Sequence, residues 1–135
     1  MTAADARRVR ESWRALTPRA EELAAVFYGE LFACEPECVR LLGGASAEQR
    51  QKFVRMVGTL ADAGDDPRAF IATAAALGRR HAGYGVRAAH YDAAGLAMRR
   101  MLEHALGAAF TRELRDAWSE AVLLVIAVMR RSTPA

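Results

Sequence analysis

Apolar residues recur along this chain at intervals of three and four, the spacing that gathers them on one side of an α-helix. Val9, Trp13 and Leu16 share one such stripe; Leu23, Phe27 and Leu31 share a second; Phe53, Met56, Val57 and Leu60 share a third. Two later stripes run through Tyr91, Met98 and Leu102, and through Leu114, Trp118, Val122, Val125 and Met129. Strand signals are nearly absent: threonine is sparse, aromatic residues make up 7% and no Asn-Gly turn occurs.

Punctuation between the stripes sets the expected elements. Thr2 with Asp5, and Ser46 with Gln49, resemble capping boxes that open helices. Thr17-Pro18 reads as a cap followed by a first-turn proline, which starts the second helix. Glu35-Pro36-Glu37 breaks that helix, a short turn or helix reaches Leu41-Leu42, and Gly43-Gly44 is a loop. Gly64-Asp65-Asp66-Pro67 ends one helix and begins the next, which runs to about His81. Gly83 and Gly85 force a loop, a helix follows from about Ala88 to Leu106, Gly107 stops it, and Thr111 caps the last helix. The expectation is an all-α fold of about six to seven helices, in a single domain over residues 1–135, with no repeat or linker.

Composition narrows the class. A chain of 135 residues, 53% hydrophobic and 26% charged, holds a sizeable core without staples. Nineteen basic residues against 16 acidic give a net charge of +3. Arginine and glutamate alternate instead of clustering, which reads as solvated helix faces, so no nucleic-acid partner is expected. Cys34 and Cys38 have no zinc or redox spacing and read as small buried hydrophobes. Residues 1–10 are too polar for a signal peptide. The longest apolar run, Val122 to Met129, is far short of the ~20 residues a spanning helix needs. A cytoplasmic protein with no membrane span is expected.

Hydrolytic chemistry finds little support. Ser12, Ser46, Ser119 and Ser132 lack a nucleophile-elbow context, and Glu-x-x-His pairs and phosphate loops are missing. Three histidines remain. His90 and His104 read as surface or boundary residues. His81 closes a helix, in Leu77-Gly78-Arg79-Arg80-His81-Ala82-Gly83-Tyr84-Gly85-Val86, and has two readings: a cation capping the helix dipole, or a metal ligand.

Arg-Arg-His at a helix end, then Gly-Tyr-Gly-Val, then Ala89-His90-Tyr91 resembles the proximal segment of bacterial single-domain globins, which are related to the globin domain of flavohaemoglobins. Other positions match at fixed distances. Gln49 stands 32 places before His81, Tyr28 lies in Phe27-Tyr28-Gly29-Glu30-Leu31-Phe32, and Tyr91 comes ten after His81. Pro36 and Ala117-Trp118 also match. The resemblance implies a globin-like fold around a crevice for haem b, with His81 on the iron. It implies Tyr28 and Gln49 as distal donors to a diatomic gas (O2, NO or CO), and Phe53 filling the distal pocket. Val86, Tyr91, Met98 and Leu102 would line the haem edge or proximal side, while Lys52 and Arg80 would reach its propionates. Leu42 stands where the family nearly always has phenylalanine. The acidic partner that some members give the proximal histidine would fall near Thr133, so a backbone carbonyl is the expected support for His81. With the chain ending at Ala135, nitric oxide dioxygenase turnover would need an external electron donor or reductase. The protein is expected as a monomer or homodimer.

Plainer readings stand beside these. Tyr28 is also a sound core tyrosine, Gln49 also the acceptor half of the Ser46 box, and Lys52 and Arg80 also solvated cations. Leu42 keeps open a different class: a haem-free or weakly haem-binding sensor or interaction module.

Overall fold

The structure, a computed structural model, describes residues 1–132. Seven α-helices follow one another: α1 (Ala3–Leu16), α2 (Ala20–Cys34), α3 (Glu37–Leu42), α4 (Ala47–Asp62), α5 (Pro67–Gly83), α6 (His90–Leu106) and α7 (Arg112–Arg131). Short 3-10 turns at Thr17–Arg19 and Gly107–Ala109 complete the fold, and no strand occurs among the described residues.

Local chemistry explains most boundaries. The side chains of Thr2, Ser46, Asp66 and Thr111 each accept a hydrogen bond from the backbone N–H three residues on. Each satisfies a donor that the first helical turn leaves unpaired. Neither expected capping box closes its reciprocal half: Asp5 pairs with Arg8, and the Gln49 amide turns to Tyr28. Thr17 is a correction. Its backbone is helical (φ −58°, ψ −31°) where an N-cap must be extended, and its hydroxyl donates back to the Arg14 carbonyl at 2.7 Å. Thr17 therefore finishes α1, and α2 begins at Ala20 without a side-chain cap.

The principal helix pairings are α2 with both α6 and α4, α5 with α7, and α1 with both α7 and α4. Gly78 makes the α5–α7 crossing tight, since a Cβ there would lie 2.8 Å from Met129 Cα. Buried residues form two clusters. The larger joins Val9, Trp13, Leu23, Phe27, Leu31, Met101, Leu102 and Trp118, with the Trp118 indole N–H donating to Ser12 Oγ at 2.9 Å. The smaller joins Val86, Tyr91 and Met129 with Leu41, Leu77, Val125 and Ile126 around it. No helix among the described residues is long and apolar enough to cross a membrane.

Candidate functional site

A cavity of about 570 Å3 opens in the interior, and both core clusters contribute to its walls. That volume falls within the range of small-molecule sites, roughly 300–1,000 Å3. The apolar face of α4 is its most telling wall. Phe53, Met56, Val57 and Leu60 all line the cavity and are only half-buried, so they meet the open space in place of protein.

His81 enters the wall from the last turn of α5. Its Nδ1 lies 2.9 Å from the Leu77 carbonyl oxygen, and a carbonyl only accepts, so Nδ1 carries the proton. In the neutral ring Nε2 then holds the lone pair. Burial is the main cause that lowers its pKa below the ordinary histidine value, assisted by Arg80, while the Leu77 bond opposes. A group held neutral makes a poor cation for the helix dipole and a ready ligand donor.

The chain leaves α5 through a left-handed glycine. Gly85 has φ +89°, its N–H returns to the Ala82 carbonyl at 3.1 Å, and the Val86 N–H returns to the His81 carbonyl at 3.1 Å. This is the paired closure of a Schellman motif. It explains Gly-Tyr-Gly-Val: the turn carries Val86 into the cavity wall near His81, and leaves the exposed Tyr84 ring 6.2 Å from the imidazole.

A polar pair lies in another part of the wall. Gln49 Nε2 donates to the Tyr28 hydroxyl at 3.2 Å. Its backbone N–H donates to the Ser46 hydroxyl, but its side chain does not return to close the capping box and turns to Tyr28 instead. Burial raises the Tyr28 hydroxyl pKa, with the Gln49 donation opposing, so the group stays protonated and keeps a proton to donate. Phe53 stacks on Phe27 at 4.1 Å between centroids and meets Tyr28 edge-on at 5.7 Å, fixing the ring that carries this hydroxyl.

Leu42, Lys52, Arg80, Val86, Tyr91 and Met98 all line the same cavity as His81, Tyr28, Gln49 and Phe53. Lys52 also pairs with Glu48 at 3.5 Å. The helix pattern did not single out Leu41, Arg55 or Ala94, which join the wall too. Arg55 was legible as the next turn after Lys52. Thr133 lies outside the described residues. Three expectations are corrected. Leu102 does not join the cavity wall: it is 1% exposed, packed within the larger core cluster. His90 is not a surface or boundary residue: only 4% of it is exposed, and Glu37 on α3 accepts from its ring. Cys38 is buried but Cys34 is exposed, since α2 ends at that residue.

A helical fold closed around one apolar cavity, with a neutral imidazole in one wall and a hydroxyl–amide pair in another, defines an all-α ligand-binding protein. A family model described as Globin matches residues 25–129. Among curated proteins, the Flavohemoprotein of Bordetella pertussis is 31% identical over 109 residues, covering 78% of this chain and 27% of that protein. The Flavohemoprotein of Bordetella bronchiseptica matches at the same identity and coverage. The chain thus spans about a quarter of the length of these relatives. Among solved structures, a hexacoordinated heme protein from an anhydrobiotic tardigrade superposes with a TM-score of 0.86 at 15% identity, covering 98% of this chain and 94% of that one. The chain belongs to the globin family.

Proposed function

We propose that this protein is a haem-binding globin, with haem b in the cavity and His81 on the iron. The observation that carries the reading is the His81 ring, kept neutral by burial and oriented by the Leu77 carbonyl so that its Nε2 lone pair is available, in the wall of a cavity that also holds Tyr28 and Gln49. The residues fit the group. Met56, Val57, Leu60 and Leu42 offer apolar surface for a macrocycle, and Lys52, Arg55 and Arg80 offer cations for its carboxylates. Haem bound there supplies an iron that takes up O2, NO or CO. The chain does the rest. His81 orients through Leu77, Phe27 and Phe53 exclude water, and Tyr28, polarised by Gln49, donates a hydrogen bond to the gas.

The physiological role under this reading is gas storage, transport or detoxification within the cytoplasm, by one globin domain acting as a monomer or homodimer. Nitric oxide dioxygenase turnover belongs to the reading only with an external electron donor or reductase. Leu42 favours a second reading, a haem-free or weakly haem-binding sensor or interaction module, because leucine cannot stack on a porphyrin. Hemin titration separates the two. Uptake with a Soret band, lost or displaced in His81→Ala, supports the haem globin; a chain that stays colourless with excess hemin overturns it.

A further inference from the structure

His90 is buried, polar and unused by the reading above. Both of its ring nitrogens are committed. The Arg87 backbone N–H donates to Nδ1 at 3.0 Å, so Nδ1 carries no proton. Nε2 therefore holds it and donates to Glu37 Oε2 at 3.2 Å. Glu37 stands in the first turn of α3 and also receives Arg40 at 2.9 Å and Arg87 at 3.7 Å. Glu35, Glu37 and His90 come close enough together to suggest a cation site. Two arginines already neutralise Glu37, however, and the Arg87 amide occupies the ring's lone pair, so the cluster is closed to a metal ion.

The same bonds hold the loop beside His81. At its start, the N–H groups of Tyr84 and Val86 both return to the His81 carbonyl, at 3.0 and 3.1 Å. At its end, the Arg87 N–H is fixed by His90. Val86, between these anchors, lies in the cavity wall. On the far side of the fastening, α3 lays Leu41 against the loop: a Cβ at Gly85 would lie 3.4 Å from Leu41 Cδ2. A continuous chain of contacts thus runs from Glu37 through His90 and the loop to the main chain of His81.

We infer that His90, gripped by Glu37, is a positioning residue: it straps the 84–89 loop to α3 and thereby fixes the last turn of α5 and the orientation of the His81 ring. The inference rests on the reading of His81 as the ligand.

The test has a haem-free and a haem-loaded half. In the haem-free chain, amide exchange at Val86 and Arg87 is compared among wild type, His90→Leu, Glu37→Leu and Glu37→Gln, with the 15N shifts of the His81 ring. Expected is a rise in exchange of about five- to tenfold at those two amides in both leucine variants, the loss of roughly one hydrogen bond's restraint. The His81 ring shifts should move with it. Glu37→Gln keeps a carbonyl to accept from Nε2 and should stay near wild type. In the hemin-loaded ferrous protein, the iron–imidazole stretching band should broaden or move in the leucine variants and return in Glu37→Gln. Glu37 is half-exposed, so its variants carry the test if His90→Leu fails to fold. Wild-type exchange, ring shifts and stretching band in Glu37→Leu overturn the strap. If the wild type itself takes up no hemin, the haem reading fails, while the haem-free measurements still decide the strap.

Discussion

The Tyr28 hydroxyl both accepts and donates, and only the accepting half is satisfied by Gln49. Its remaining proton is the donor available to a gas in the cavity. Tyr28→Phe removes that donor and little volume. With a net hydrogen bond worth about 1 kcal/mol, O2 dissociation in stopped-flow measurements should speed about fivefold. Gln49→Leu should act less and should add little to Tyr28→Phe, because the amide works through the hydroxyl. An off-rate unchanged by Tyr28→Phe would mean that the hydroxyl faces away from the ligand. His81 gives a pH prediction. Its folded-state pKa lies below the unfolded value of roughly 6.5. The unfolded chain therefore binds the proton more readily, and the stabilising difference is present above pH 6.5 and lost as pH falls through the folded value. Urea midpoints of the haem-free chain should fall as pH drops from about 7 to 5. His81→Leu should fall less steeply; equal slopes would show that the ring is not held neutral. The resemblance to bacterial single-domain globins singled out His81, Tyr28 and Gln49, but not the role of His90. Its partner Glu37 lies 53 residues away, and helical periodicity says nothing of pairs that only tertiary packing brings together.

Helix boundaries were legible where the signal is local, as at Ser46, Asp66 and Thr111, whose side chains reach only three residues. Thr17 was misread because a threonine before proline satisfies a cap pattern, while the chain there simply continues in helical geometry into a 3-10 turn. Crossing distances were not legible at all. Nothing local marks Gly78 as the point where α5 touches the Met129 backbone, yet that contact sets how close the His81 helix lies to α7. A Cβ at 2.8 Å from backbone cannot be relieved by a rotamer. Gly78→Ala gains up to about 1 kcal/mol of helix propensity. It should nonetheless lose stability overall, since overpacking costs about 1–3 kcal/mol, read as a lower urea midpoint. A midpoint at or above wild type would mean that the two helices separate freely. Helix α3 supplies the companion test. Leu42 already lines the cavity. Leu42→Phe adds an aromatic face, worth about 0.5–1.5 kcal/mol beyond area, and should slow hemin loss to an apomyoglobin acceptor about two- to tenfold. Faster loss would show that residue 42 does not face the bound group.

Across the whole molecule, the helices close over two apolar clusters and leave the space between them unfilled by side chains. The surface does little to compensate. Pairs such as Arg14–Asp62 at 3.1 Å and Arg10–Asp65 at 3.3 Å tie α1 to the end of α4, but such exposed bridges contribute about 0–1 kcal/mol each. Stability therefore rests on how well the interior is filled, and the half-buried face of α4 is where it is filled least. A ligand that occupies the cavity and binds only the folded chain stabilises it by mass action, by about 2.7 kcal/mol at a hundredfold excess over its dissociation constant. For a chain of this length that corresponds to a rise in Tm of roughly 10 °C. Hemin should give a rise of that order in differential scanning calorimetry, and protoporphyrin without iron a smaller one, because it fills the same apolar space but offers His81 nothing to bind. The two ligands should become equivalent in His81→Leu. A hemin shift that survives intact in that variant would assign the gain to apolar filling alone and remove the imidazole from the iron.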